Sequence, residues 1–186
     1  MDGINGIAGI TGLVGFALLA FSAFLSGDSS GLVTLAICMA VSCLGFLPFN
    51  IPNAKVFMGD VGSILLGFVF AGMVVWLSKN LLDFFCLASF LFPFYADELT
   101  TMVLRLRDGE KLFNPHRKHL YQLLANELNI AHWKVSVGYG ILQLVVGLSV
   151  LTLRAFGIWH VLFLLAAYFC GFIWLSYFVR LRVTRA

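Results

Sequence analysis

The chain has 186 residues, of which 61% are hydrophobic and 11% charged, with 12 basic against 9 acidic side chains and a net charge of +3. So few charges cannot cover that much apolar surface in water, which excludes a soluble globular domain, a disordered segment and a nucleic-acid binder. What remains is an all-α, polytopic integral membrane protein forming a single transmembrane domain.

A bilayer core about 30 Å thick takes roughly 20 apolar residues of helix. Six stretches qualify, at 7–26, 31–49, 62–78, 81–96, 135–153 and 159–179. The first opens on MDGINGIAGITGLVG, where Gly3, Gly6, Gly9, Gly12 and Gly15 recur every third residue. That pattern reads as a helix end closely approached by neighbours, and a partner for its glycine face is expected outside this chain. The stretch is long enough to span and has no basic residue before it, so it does not read as a signal peptide. Cys38, Cys43, Cys86 and Cys170 lie inside apolar runs without metal-ligand or redox spacing and read as reduced packing residues.

Between the second and third spans runs a polar, turn-forming segment from Asn50 to Ser63 that contains FMGDVGS. Asp60, followed by Gly62 and Ser63, reads either as the N-cap of the third span or as a carboxylate beside an anion-binding helix start, suited to bridging Mg²⁺ and a diphosphate. Asp83 and Pro93 mark the ends of the fourth and least regular span. An amphipathic helix follows, with Leu99, Met102, Val103 and Leu106 on one face and Asp97, Thr101 and Arg105 on another. Its polar face reads as solvated with local ion pairs, or as part of a site.

In Asn114-Pro-His-Arg-Lys-His119, Asn114 suits an N-cap and Pro115 the first helical position, so His116 and His119 are expected on one helical face. Basic residues in a first turn oppose the helix dipole unless an anion binds. The cluster reads as a phosphate site, or as a basic loop touching anionic lipid headgroups. No further His or Cys lies near enough in sequence for a zinc pair. His132 and His160, beside Trp133 and Trp159, suit span edges.

With the N-terminus inside, Lys55, Arg105, Arg107, Lys111, Arg117, Lys118, Lys134, Arg180, Arg182 and Arg185 are cytoplasmic, and only Lys79 and Arg154 lie outside. Both termini and the segments 50–61 and 97–134 then share the cytoplasmic face, where Trp133 and Tyr177 suit the interface.

Taken together, MDGINGIAG at 1–9, FNIPNAKVFMGDVGSILLG at 49–67 and DELTTMVLRLRDGEKLFNPHRKHLYQ at 97–122 resemble the polyprenyl-phosphate N-acetylhexosamine-1-phosphate transferases, which include phospho-N-acetylmuramoyl-pentapeptide transferase. The resemblance implies a multi-pass enzyme of the bacterial inner membrane with its active face in the cytoplasm. It would transfer N-acetylhexosamine 1-phosphate from a UDP-sugar to undecaprenyl phosphate, releasing UMP. By the same resemblance Asp60 would hold Mg²⁺, or Mn²⁺ in its place, and Asp2 and His119 would join it as catalytic groups. Asn50 with Phe57 would line the nucleotide pocket with Asp2, Asn5 would also bind substrate, and His116, Arg117, His119 and, more weakly, Arg105 would hold phosphate or sugar. Asn5 stands where the peptidoglycan branch usually carries a second Asp, and PHRKHLYQ replaces that branch's histidine-rich cluster. Both departures favour the O-antigen branch and leave the sugar open.

The family typically has ten or eleven spans, and its paired aspartates lie upstream of the segment resembling residues 1–9. This chain has no adjacent Asp-Asp. It is therefore expected to be the C-terminal half of a longer fold, catalytic with its N-terminal half, and able to form a homodimer. The alternatives are a non-catalytic binding or assembly subunit, and a small transporter in which Asp60, Asp83 and Asp97 mark an ion path.

Overall fold

The structure, a computed structural model, describes residues 3–27, 31–109 and 118–185, the side chains of Thr184 and Arg185 excepted. Every regular element among them is helical: α1 Ile7–Leu25, α2 Leu32–Asn50, α3 Gly59–Leu77, α4 Leu81–Ala88, α5 Phe92–Arg107, the short α6 Leu120–Gln122, α7 His132–Leu153 and α8 Ile158–Arg185. Five helical segments, Ile7–Leu25, Leu32–Asn50, Gly59–Leu77, His132–Phe156 and Ile158–Val183, are long and apolar enough to cross a membrane. Together with the large exposed apolar side chains, such as Phe68, Trp76, Phe163 and Trp174, they make this an α-helical multi-pass membrane protein.

The remaining apolar stretch, 81–96, is not one helix. It breaks between α4 and α5 in a 3-10 turn, Ser89–Leu91. Pro93 explains the break: it has no N–H for the Ser89 carbonyl, and its ring would clash with that carbonyl in a straight helix. Phe92 N–H bonds the Ser89 carbonyl instead.

Helix α1 is the central element and packs mainly against α2 and α7. The expectation that its glycine face lacks neighbours fails. A Cβ at Gly9 would stand 2.7 Å from Leu47, one at Gly12 2.7 Å from the Cys43 sulfur, and one at Gly15 3.1 Å from Leu91. The partners come from α2 and the α4–α5 turn of the same chain. Gly6, at φ +87°, starts α1 in a conformation L-residues rarely adopt, and a Cβ there would meet Ile51 at 2.6 Å. Within the bundle, Gln143 donates to the Thr11 carbonyl at 3.0 Å, tying α7 to α1.

The face assignment of α5 is also corrected. Asp97, Thr101 and Arg105 are buried, whereas Leu99, Val103 and Leu106 are exposed. A helix at the edge of a bilayer turns its apolar face outward to lipid and its polar face into the protein, the reverse of a helix in water.

The opposite end of the bundle carries a second buried acid. Asp83 accepts the Lys79 N–H at 3.2 Å and pairs with Arg154, while Asn80 caps α4 by accepting the Asp83 N–H at 2.9 Å. This carboxylate is committed to holding a helix start and the turn after α7. All four cysteines are free.

Candidate functional site

At the other end, the N-terminal residues, the loop after α2 and the segment before α7 converge. Asn50 is buried, and its carboxamide bridges two of them: the oxygen accepts the Gly6 N–H and the nitrogen donates to the Val56 carbonyl at 2.8 Å. Lys55 and Val56 N–H return to the Phe49 carbonyl at 2.8 and 3.2 Å, which folds the loop back onto α2. Asn5 donates to the Pro52 carbonyl at 3.1 Å, and its own carbonyl accepts from Ser136 at 2.8 Å. Its N–H reaches His132 Nδ1 at 3.5 Å. Thus Asn5 and Asn50 are brought together, and both are used to join α1, the loop and α7. His132, expected only at a span edge, lies inside this junction.

Asp60 and Phe57 stand on the outer side of the same loop. Asp60 is exposed in the first turn of α3, behind Gly59 and the N-cap residue Met58, and no side-chain cap is made. The N-cap reading therefore fails: Asp60 lies within the first turn of α3, one residue past its start. Phe57 is 69% exposed. Among the described residues no three His, Cys, Asp or Glu side chains converge on a metal position. A lone exposed carboxylate still suits Mg²⁺, which is held through one or two carboxylates with water and substrate phosphate completing its shell.

A second group forms around Asp97, which is 1% exposed. Its oxygens accept the Leu120 N–H at 2.8 Å, the Tyr121 N–H at 3.3 Å, the Tyr139 hydroxyl at 2.7 Å and the Thr101 hydroxyl at 3.3 Å. Burial alone would raise this carboxyl. Hydrogen bonds from the Tyr139 hydroxyl and the Leu120 N–H, with the His119 ring close by, outweigh that cost and hold it below the ordinary carboxylate range.

His119 borders this hub, with Nδ1 3.7 Å from Asp97 and Nε2 3.7 Å from Glu98. Its ring stacks on Tyr121 at 5.5 Å between centroids. The expected helical placement of His119 is corrected: the residue is extended, at φ −65° and ψ 146°, and serves as N-cap of α6 in a capping box with Gln122. A helix starts just past it, at Leu120, because Asp97 captures the first two free N–H groups, those of Leu120 and Tyr121. Asp2, Asn114, His116 and Arg117 lie outside the described residues. Gly3 abuts Tyr121 and Gln122, so that a Cβ on it would stand 2.7 Å from the Tyr121 hydroxyl. The N-terminal segment and the His119 segment are therefore neighbours. Arg105 is buried on the Asp97 face of α5.

Sequence reasoning missed Asp97 as the organiser of this end, and Tyr139 and Arg180 as its supports. The available signal was the spacing of Asp97, Thr101 and Arg105 along one face, together with a phenol and a guanidinium in otherwise apolar spans.

Residues 1–78 match glycosyl transferase family 4. The chain is 34% identical over 156 residues to phospho-N-acetylmuramoyl-pentapeptide-transferase of Staphylococcus saprophyticus, covering 80% of this chain and 47% of that protein. It is 34% identical over 132 residues to decaprenyl-phosphate N-acetylglucosaminephosphotransferase of Mycobacterium leprae, covering 60% and 32%. It is also 34% identical over 133 residues to undecaprenyl-phosphate alpha-N-acetylglucosaminyl 1-phosphate transferase of Thermotoga maritima, covering 69% and 41%. No solved structure matches. Residues 1–78 carry the likeness to glycosyl transferase family 4, and the chain spans about a third to a half of the length of these curated relatives.

Proposed function

We propose that this chain forms one wall of a site that transfers N-acetylhexosamine 1-phosphate from a UDP-sugar to undecaprenyl phosphate, at the cytoplasmic face of a bacterial inner membrane. The observation that carries the reading is the convergence of three separated segments at one end: the N-terminal turn, the loop leading to Asp60 and the segment bearing His119. The family match and the names of the relatives support it.

In the proposed reaction an oxygen of the lipid phosphate forms a bond to the β-phosphorus of the donor. The bond from that phosphorus to the bridging oxygen breaks, and UMP departs with the electron pair. The demand on the protein is to gather and orient negatively charged groups. Asp60 would hold Mg²⁺ or Mn²⁺, which supplies charge neutralisation on the diphosphate when bound. His119, with Arg117 and His116, would engage phosphate, and Arg105 would add positive charge from α5. Asp2 and Phe57 would border the nucleotide. Asn5 and Asn50 would act by fixing the loop rather than by touching substrate, since their amides are engaged within the protein.

The chain is proposed to act with the remainder of the family fold, because it matches less than half the length of its relatives. The departures at Asn5 and at residues 115–122 favour an O-antigen type of substrate over a muramoyl-pentapeptide. The test is UMP release in detergent with undecaprenyl phosphate, Mg²⁺ and a panel of UDP-N-acetylhexosamines, for this chain and for a version extended upstream in its reading frame. Release by the extended protein, lost in Asp60→Asn, is expected. Silence from both overturns the reading, and release by the chain alone overturns the need for a second half.

A further inference from the structure

Arg180 of α8 has no part in the proposed reaction, yet it touches the segment that carries His119. Its Nη2 donates to the Lys118 carbonyl at 2.7 Å and reaches the Thr101 hydroxyl at 3.4 Å, while its Nε donates to the Ser176 hydroxyl at 3.2 Å. Ser176 is buried one turn earlier on α8, so the guanidinium plane is fixed from its own helix before it meets the loop. Thr101 in turn donates to Asp97. The Lys118 carbonyl belongs to the peptide bond that leads into His119. On the far side of His119, the Leu120 and Tyr121 N–H groups are held by Asp97. A cation therefore grips the carbonyl before His119, and an anion grips the amides after it. Both grips are charge-assisted, the stronger class of hydrogen bond, and an arginine near the membrane edge requires such partners.

We propose that Arg180 is a positioning residue: its hydrogen bond to the Lys118 carbonyl lets α8 set where His119 stands in the phosphate-binding segment. The proposal rests on the phosphotransfer reading. It makes the last helix a brace for chemistry performed elsewhere, and it separates Arg180 from the neighbouring Arg182, which covers the Phe178 ring at 4.6 Å on its own helix.

The experiment uses the full-length enzyme that carries this chain, with Arg180→Gln, Arg180→Lys, His119→Ala and the Arg180→Gln/His119→Ala pair. Turnover is measured with undecaprenyl phosphate and UDP-N-acetylhexosamine, and trypsin cleavage after Lys118 is followed by mass spectrometry. A displacement of about 1 Å costs up to about 100-fold, so Arg180→Gln is expected to lower kcat roughly 10- to 100-fold. Arg180→Lys keeps a donor and should recover part of that loss. In the His119→Ala background the Gln change should cost nothing more, because both act through one group. The Lys118–His119 bond should be cut faster in Arg180→Gln at unchanged thermal stability. Independent, multiplicative losses in the pair overturn the link to His119, and an unchanged cutting rate overturns the brace. If the parent enzyme turns over no donor the phosphotransfer reading falls, and the cutting rate still decides whether Arg180 holds the segment.

Discussion

Asp83 and Asp97 are both buried carboxylates in a membrane protein, at opposite ends of the same bundle, and they serve different ends. Asp83 accepts an N–H from four residues back and pairs with one arginine, so its work is to start α4 and hold the turn after α7. Asp97 accepts amides 23 and 24 residues ahead and a phenol 42 residues ahead, so it assembles a segment that would otherwise have no place to fold. The contrast shows that burial of a charge says little by itself. What distinguishes a helix staple from the organiser of a candidate site is the sequence distance of the donors that satisfy it.

The strongest way to break the comparison is Asp97→Ala. It strands two amides and a phenol, and a hydrogen bond to a charged group contributes about 1.5–3 kcal/mol. The largest loss of thermal stability in detergent is expected here, along with rapid trypsin cleavage after Lys118 and loss of turnover in the full-length enzyme. Retention of both would reduce Asp97 to the level of Asp83.

Arg154→Ala should cost about 1–3 kcal/mol, because Asp83 stays buried but keeps the Lys79 N–H. Thermal melting should fall, while cleavage after Lys118 and the KM for the UDP-sugar stay as in the parent. A change in either would mean that the two ends communicate.

The smallest effect concerns pH. Asp97 sits below its ordinary value when folded, so its contribution is fully present above the unfolded Asp pKa of about 3.9 and is lost only as pH falls through the lower folded value. Protection of the Lys118–His119 bond, read by an acid-tolerant protease, is therefore expected to stay flat from pH 8 to about 5. A decline within that range that persists in His119→Ala would place Asp97 in its neutral form and remove the basis of the hub.

Much of the architecture is legible in the amino-acid sequence. Runs of about 20 apolar residues can satisfy their backbone in a bilayer only as helices, which fixes the class and nearly all the spans. The glycines at 9, 12 and 15 announce close packing. Their partners, Leu47, Cys43 and Leu91, could not be read, since apolar side chains on five helices are interchangeable as sequence. FMGDVGS points to the Asp60 loop, but whether Asp60 would be spent on its own helix depended on where α3 begins.

The sequence by itself determined a helical membrane protein whose polar residues cluster in two loops and one basic segment, because the bilayer leaves no other use for such composition. The tertiary structure decided which polar groups face inward. The spacing of Asp97, Thr101 and Arg105 fits a wet face and a buried one equally well, and the packing of α5 against α7 and α8 selected the buried one. It also decided that His119 caps a helix rather than lying within one. That choice belongs to Asp97, Tyr139 and Arg180, which are far apart in the chain and meet only when α5, α7 and α8 pack together.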